Sequence, residues 1–225
     1  MFPLGCLPIL LFLLLLVLLP VIFGEIMVGA LLKLQLDTQT ALLLLMGILF
    51  GSLINIPVKR MIRVQEVESH PLAVFGLTGF FPELKSAQKV TVVAVNVGGC
   101  VIPTGIALYE ILFIFSKGIG AATLVGVAVL INTWVCYRLA KPVRGIGIAM
   151  PALIPPLVAA LSALILIPGD GPPVAFVAGV LGPLIGADLM HLRDIPRIST
   201  GMASIGGAGT FDGIVLSGIL AAYLV

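Results

Sequence analysis

Two carboxylates stand out because each lies in an otherwise apolar, glycine-rich stretch: Gly186-Ala187-Asp188-Leu189 and Ser204-Ile205-Gly206-Gly207-Ala208-Gly209-Thr210-Phe211-Asp212-Gly213. Asn96-Val97-Gly98-Gly99, followed by Pro103, has the same character, as does Gly145-Ile146-Gly147 with Met150-Pro151-Ala152-Leu153-Ile154-Pro155-Pro156. An ionisable side chain inside a bilayer costs about 2.5–3.5 kcal/mol on insertion scales, and a broken helix needs its freed backbone groups satisfied by protein or water. Residues kept at that cost are the ones to read for chemistry. Two neighbouring carboxyls in a low-dielectric site cannot both ionise; one polarises a carbonyl while the other activates water, as peptide hydrolysis requires. The same carboxylates on glycine-broken helices serve equally as a proton or cation site in a transporter. Asp188 and Asp212 are thus the catalytic pair under a hydrolase reading. Under a carrier reading the binding set is Asn96, Gly98, Gly99, Asp188, Gly206, Gly207, Gly209, Thr210 and Asp212.

The elements that must position these residues follow from composition. Of 225 residues, 60% are hydrophobic and only 10% charged, and the mean hydropathy is +1.25, so a water-soluble globular fold is excluded. The 26 Gly, 16 Pro and seven Met fit close-packed, interrupted helices rather than the alternating strands of a transmembrane barrel. The expectation is an all-α integral-membrane helical bundle forming a single transmembrane domain over residues 1–225. Apolar runs long enough to cross roughly 30 Å of hydrocarbon lie near 4–24, 39–57, 90–115, 119–139, 145–167, 173–191 and 205–225, seven in all. The first lacks a basic n-region and a small-x-small cleavage site, so it reads as a retained helix.

Between these spans, one side carries Lys59, Arg60, Arg63, Lys85, Lys89, Arg138, Lys141, Arg144, Arg193 and Arg197, and the other only Lys33 and Lys117. That asymmetry places the first side in the cytoplasm, with the N-terminus inside an inner membrane and Val225 at the outer face. Residues 58–89 read as a cytoplasmic or interfacial loop, anchored through Val67, Leu72, Phe75, Phe80 and Phe81 and turned at Pro71 and Pro82. At 1.5 Å per residue, Asp212 and Asn96 then lie about 9 Å inside the cytoplasmic boundary, and Asp188 about 6 Å from its exit near Leu192. With Asp212 moved to the interface, Ile214–Val225 would be too short to cross. Asp188 has a plainer alternative, a helix-end residue facing water or pairing with Arg193. Asn96 has one as interhelical glue. Glu25 and Glu110 read as interfacial groups at the outer span ends.

Other chemistries find little footing. Cys6, Cys100 and Cys136 show neither metal nor redox spacing, and His70 and His191 form no H-E-x-x-H pair, so no metal or cofactor is implied. Dispersed basic residues without an aromatic platform give no nucleic-acid surface. A Ser204–His191 dyad is conceivable, but hydroxyls at glycine-rich helix starts are usually caps. The partners implied are the lipid bilayer and an ion, a small solute or a membrane peptide. A non-catalytic scaffold with a structural Asp is the third class.

N-V-G-G-x-V-I-P at 96–103, K-P-V-x-G-I-G at 141–147, P-A-L-I-P-P at 151–156, G-A-D-L at 186–189 and S-I-G-G-A-G-T-F-D-G-I at 204–214 resemble a family of uncharacterised bacterial and archaeal membrane proteins, a domain of unknown function. A looser resemblance is to the presenilin-like intramembrane aspartyl proteases, which carry one Asp on each of two consecutive antiparallel helices, the second in G-x-G-D, with a P-A-L motif nearby. Here Phe211 stands where the second glycine belongs, Pro151-Ala152-Leu153 precedes both aspartates rather than following them, and no tyrosine precedes Asp188. The order of motifs therefore departs from that family, while the direction of the two helices agrees. The charge asymmetry makes a direct prediction. A single cysteine at Ser69 labels from the cytoplasm and a tag after Val225 reports the exterior; both on one side would remove a helix from the count.

Overall fold

The computed structural model describes residues 7–66, 86–143, 146–195 and 201–225. The expectations placed on Cys6, on Val67, Ser69, His70, Pro71, Leu72, Phe75, Phe80, Phe81, Pro82 and Lys85, and on Arg144, Gly145 and Arg197 lie outside the described residues, as do those on the side chains of Arg63 and Lys89.

The chain is mostly helical: α1 (Leu7–Lys33), α2 (Thr38–Gly51), α3 (Ile102–Ser116), α4 (Ile119–Leu139), α5 (Ile154–Leu166), α6 (Gly171–Pro183) and α7 (Gly213–Leu224). π-helical turns extend two of them, Val97–Val101 leading into α3 and Leu184–Leu189 continuing α6. Counting these extensions, four segments are long and apolar enough to cross a membrane: Leu11–Lys33, Val97–Ser116, Ile119–Leu139 and Pro168–Asp194. The other three helices have 10–17 residues, and at 1.5 Å per residue none reaches across about 30 Å of hydrocarbon.

Successive helices run up and down, which separates two ends of the bundle. At one, Lys33 Nζ donates to Tyr223 O at 2.7 Å, Lys117 pairs with Asp170, and Gly171 packs against Val225. At the other lie the strands and the polar segments. The centre is α6, whose residues Pro173–Val180 are all buried, including Phe176, Val177 and Val180. Small residues let its neighbours close in. A Cβ on Gly179 would lie 2.6 Å from Ser217 O of α7, and one on Gly186 only 2.3 Å from Thr133 O of α4. Buried Asn132 of α4 donates to Ala178 O at 2.8 Å, so one polar tie accompanies the apolar packing. The first half of α1 is exposed, while its second half lies along α7, with Phe23 stacked on Phe211 at 5.2 Å between ring centroids.

The all-helical expectation is corrected at the other end. β1 (Asn55–Glu66) and β2 (Ser86–Asn96) pair antiparallel, with an irregularity between Pro57 and Lys59. β3 (Lys141–Val143) and β4 (Gly147–Ala149) form a second antiparallel pair, and β5 (Met202–Ile205) joins β2 in parallel. Each strand shortens a span read from hydropathy. The 39–57 run ends as helix at Gly51, and the 90–115 run is strand as far as Asn96. The 145–167 run begins with β4 and becomes helix only at Ile154, and the 205–225 run only at Gly213. The reason is residue type. Val90-Thr91-Val92-Val93-Ala94-Val95 is a β-branched run that favours an extended, half-buried ladder over a helix. The flanks of the 58–89 segment are consequently strand rather than loop. At the first span, α1 covers Leu7–Lys33, so Glu25 lies within it.

One contact joins the sheet end to the helices. Gly98 meets the end of α2, where a Cβ would come within 2.1 Å of Ile48 O, and a Cβ on Gly99 would come within 2.0 Å of Gly206 O. Gly99→Ala is therefore expected to cost about 1–3 kcal/mol or more as overpacking, read as a lowered melting temperature in detergent. Gly126→Ala, where a Cβ meets nothing within 4 Å, should leave it unchanged or raised.

Candidate functional site

The strand end of the bundle encloses a cavity of about 460 Å³ whose lining includes both Asp188 and Asp212. Five pieces of chain build it. The π-helical turn after α6 presents Asp188, and the segment from β5 to the start of α7 presents Met202–Ile205, Gly207, Ala208 and Asp212. Asn55 at the start of β1, Ile146–Ile148 at β4, and Ile195 complete it. Val93 and Ile195 form a small second core with Met61, Ile148, Leu192 and Ala203. That packing fixes the sheet over the cavity.

Asp212 owes its position to helix geometry. It is the N-cap of α7, with Ile214 N donating to Oδ1 at 3.0 Å and Ala208 N donating to Oδ2 at 3.2 Å. The preceding loop turns through Gly206 (φ 71°) and Gly209 (φ 62°), a left-handed backbone that glycine adopts without strain. Gly207 and Ala208 of the same loop line the cavity together with Asp188. Both aspartate side chains are half-buried. No ion pair among the described residues involves either, and the anticipated pairing of Asp188 with Arg193 is not among them. Ser204 Oγ donates to Asn55 Oδ1 at 2.6 Å, and Asn96 Nδ2 reaches the same oxygen at 3.1 Å. With Oδ1 doubly used, the hydrogen-bonding capacity left to the Asn55 side chain is its Nδ2 donors.

The rest of the binding set divides. Gly207 lines the cavity with the two aspartates, but Asn96, Gly98, Gly99, Gly206, Gly209 and Thr210 do not. They make the joint beside it. Asn96 is fully buried and caps the π-helical turn into α3, accepting from Gly99 N at 2.7 Å and donating to Ser52 O at 2.8 Å. Buried Thr210 places its hydroxyl 3.0 Å from that of Ser52. A Cβ on Gly209 would meet Ser52 Cβ at 2.5 Å. Pro151, Ala152 and Leu153 are exposed and lie off the cavity. His191 is buried, its Nδ1 within 3.1 Å of Gly186 O and its ring against Tyr137, while Ser204 is bound to Asn55; each side of the conceivable dyad has another partner. Among the described residues no cluster of three or more His, Cys, Asp or Glu could hold a metal ion.

One polar side chain of the site escaped the sequence reading, and another was misplaced by it. Asn55 sat inside an expected apolar span; its signal was a polar residue directly before the Pro57-Val58-Lys59-Arg60 strand. Glu110, expected at an interface, is fully buried in α3 with neither carboxyl oxygen hydrogen-bonded.

Residues 49–224 match a family described as "Protein of unknown function (DUF1614)". The chain belongs to this family. No curated protein and no solved structure matches it, so membership in the family brings no activity with it, and the site has to be read from its own geometry.

That geometry separates two roles of Asp212. Asp212→Ala removes the cap and is expected to cost about 0.5–2 kcal/mol, whereas Asp212→Asn keeps an acceptor and should cost much less. Asp188→Asn removes one of two like charges from one cavity, so its melting temperature at neutral pH should equal or exceed that of the parent. Thermal unfolding of the three variants in detergent checks the order.

Proposed function

We propose that this is a multi-pass inner-membrane protein that binds a cation, free or carried on a small solute, at Asp188 and Asp212 as a step in its transport. The single observation that carries the reading is that both carboxylates line one cavity without a cationic partner among the described residues. A bound cation removes the obstacle to ionising both carboxyls, and in a poorly screened recess the pair holds it more strongly than exposed carboxylates do. The surrounding chain has the form that carriers use, short and interrupted helices whose ends supply backbone donors and acceptors. Here these are the two π-helical turns and the glycine loop that precedes α7. The orientation proposed is the one that follows from the basic residues, with the cavity end cytoplasmic.

The same shared cavity supports a second reading, an intramembrane aspartyl hydrolase. Its chemistry needs one carboxyl to hold a proton while the other activates water. The two backbone N–H groups on Asp212 favour its role as a fixed anionic acceptor, which suits cation binding better than proton exchange. The scaffold class draws its support from the cap and from the glycine joint.

The test uses the purified full-length chain in detergent. Titrating sodium, potassium, magnesium and a small organic ammonium at constant ionic strength should raise the melting temperature with one of them; tenfold excess over Kd corresponds to about 1.4 kcal/mol. Asp188→Asn should abolish the shift. Cleavage of a transmembrane reporter peptide, lost in both Asp188→Asn and Asp212→Asn and with no cation response, would replace the carrier reading by the hydrolase. Neither response would leave the scaffold.

A further inference from the structure

At the opposite end of the bundle, a second cavity of about 530 Å³ runs between α2 and α3. Its polar mouth is formed by Asp37 and Thr40, and deeper along it lie Leu44, Ile102, Gly105 and Ile106. From Asp37 to Leu44 is about 10 Å along the helix axis, so polarity changes to apolar over a large part of the roughly 15 Å that one leaflet offers. A head group at the interface and a chain pointing inward have this profile. Gly105 keeps the floor open, because a Cβ there would meet nothing within 4 Å.

The mouth carries a fixed negative charge. Asp37 caps α2: Gln39 N and Thr40 N each donate to Oδ2 at 3.1 Å, and Thr40 Oγ1 donates to Oδ1 at 2.6 Å. These bonds, the Thr40 hydroxyl first, hold its carboxyl below the usual carboxylate range. The cap is therefore charged at neutral pH, and its contribution is lost only as pH falls through the lowered value. No Lys or Arg lines the groove.

We propose that this groove holds one acyl chain of a lipid whose head group bears an ammonium, with the Asp37 carboxylate as the head-group contact. The proposal rests on the membrane reading above and is independent of the cavity at Asp188 and Asp212. Charge selects the occupant: an ammonium beside Asp37 is attracted, whereas a head group with only a phosphate is repelled.

The full chain is incorporated into micelles containing equal amounts of phosphatidylethanolamine and phosphatidylglycerol with identical acyl chains, and retained lipid is counted by native mass spectrometry. One phosphatidylethanolamine should be retained in preference by at least about twofold, the order that an exposed charge pair supports. Asp37→Asn keeps the cap, since Asn caps about as well as Asp, and should bring the ratio to one with the lipid still bound. Gly105→Leu improves helix propensity, fills the open floor and should remove the retained lipid. Equal retention in the parent, a preference for phosphatidylglycerol, or an undiminished lipid in Gly105→Leu would each overturn the proposal. A chain released from membranes by alkaline carbonate without detergent would instead overturn the membrane reading, a separate result.

Discussion

A helix that stops inside apolar surroundings leaves backbone N–H and C=O groups that have nowhere to go, and two short helices of this protein, α2 and α7, end at one joint. Their ends are satisfied by other ends. The close of α2, the turn into α3 and the loop before α7 meet through Gly51, Gly98, Gly99, Gly206 and Gly209, where backbones approach so closely that a Cβ at each would lie within about 3 Å of a neighbouring atom. Asn96 closes the same joint by capping the turn into α3 and donating to both Ser52 O and Asn55 Oδ1. An unmade hydrogen bond at such a place costs about 1–3 kcal/mol, so the joint tolerates little change. It also sets the position of everything beside it. β2 runs into this joint, and α7 begins from it.

The two aspartates inherit their character from that joint. Asp212 caps the helix that the loop launches, and Gly207 and Ala208 of the loop line the cavity beside Asp188. Asp212 is held by backbone N–H groups at the positive end of α7, and no ion pair among the described residues reaches either aspartate. A carboxylate neutralised by Arg has little attraction left for a ligand. One held only by amides has no side-chain cation neutralising it, and its carboxyl oxygens stay open to a ligand in the cavity.

Hydropathy made the apolar helices legible, and the glycine and proline clusters correctly marked where they break. It could not separate helix from strand in short apolar runs. Val90–Val95 satisfied a length rule while its β-branched residues pointed to a strand, and the alternation at Pro57–Arg60 was hidden by its place beside an apolar helix. Polar residues among glycines were all read as one site, whereas only some line the cavity. The distinction lies in which glycines are pressed against backbone, a tertiary fact with no signature in spacing. Asp188 and Asp212 were legible because a carboxylate in an apolar stretch is costly wherever it falls. Asn55 was not, because its importance comes from Ser204 and Asn96, far away in sequence.

Glu110 shows how a strand changes the meaning of distant residues. With residues 90–96 taken as helix, Glu110 would lie near the far interface. Once the strand takes them up, the helical path begins at Val97, and Glu110 falls among the packed faces of α3 with two unpartnered oxygens. The bundle is thus polar at the joint, tight along α6 and loose between α2 and α3. Along α6 the contacts at Gly179, Gly182 and Gly186 leave no room for a side chain, let alone a passage. A carrier built on this plan has to open by moving a weakly packed element. The α1–α2 pair is the candidate, because the groove between α2 and α3 lies open on one side of it. Movement there would pull on Ser52, Gly98 and Thr210, the residues that join α2 to the loop leading into Asp212. The two ends of the molecule are in this way connected through one short helix.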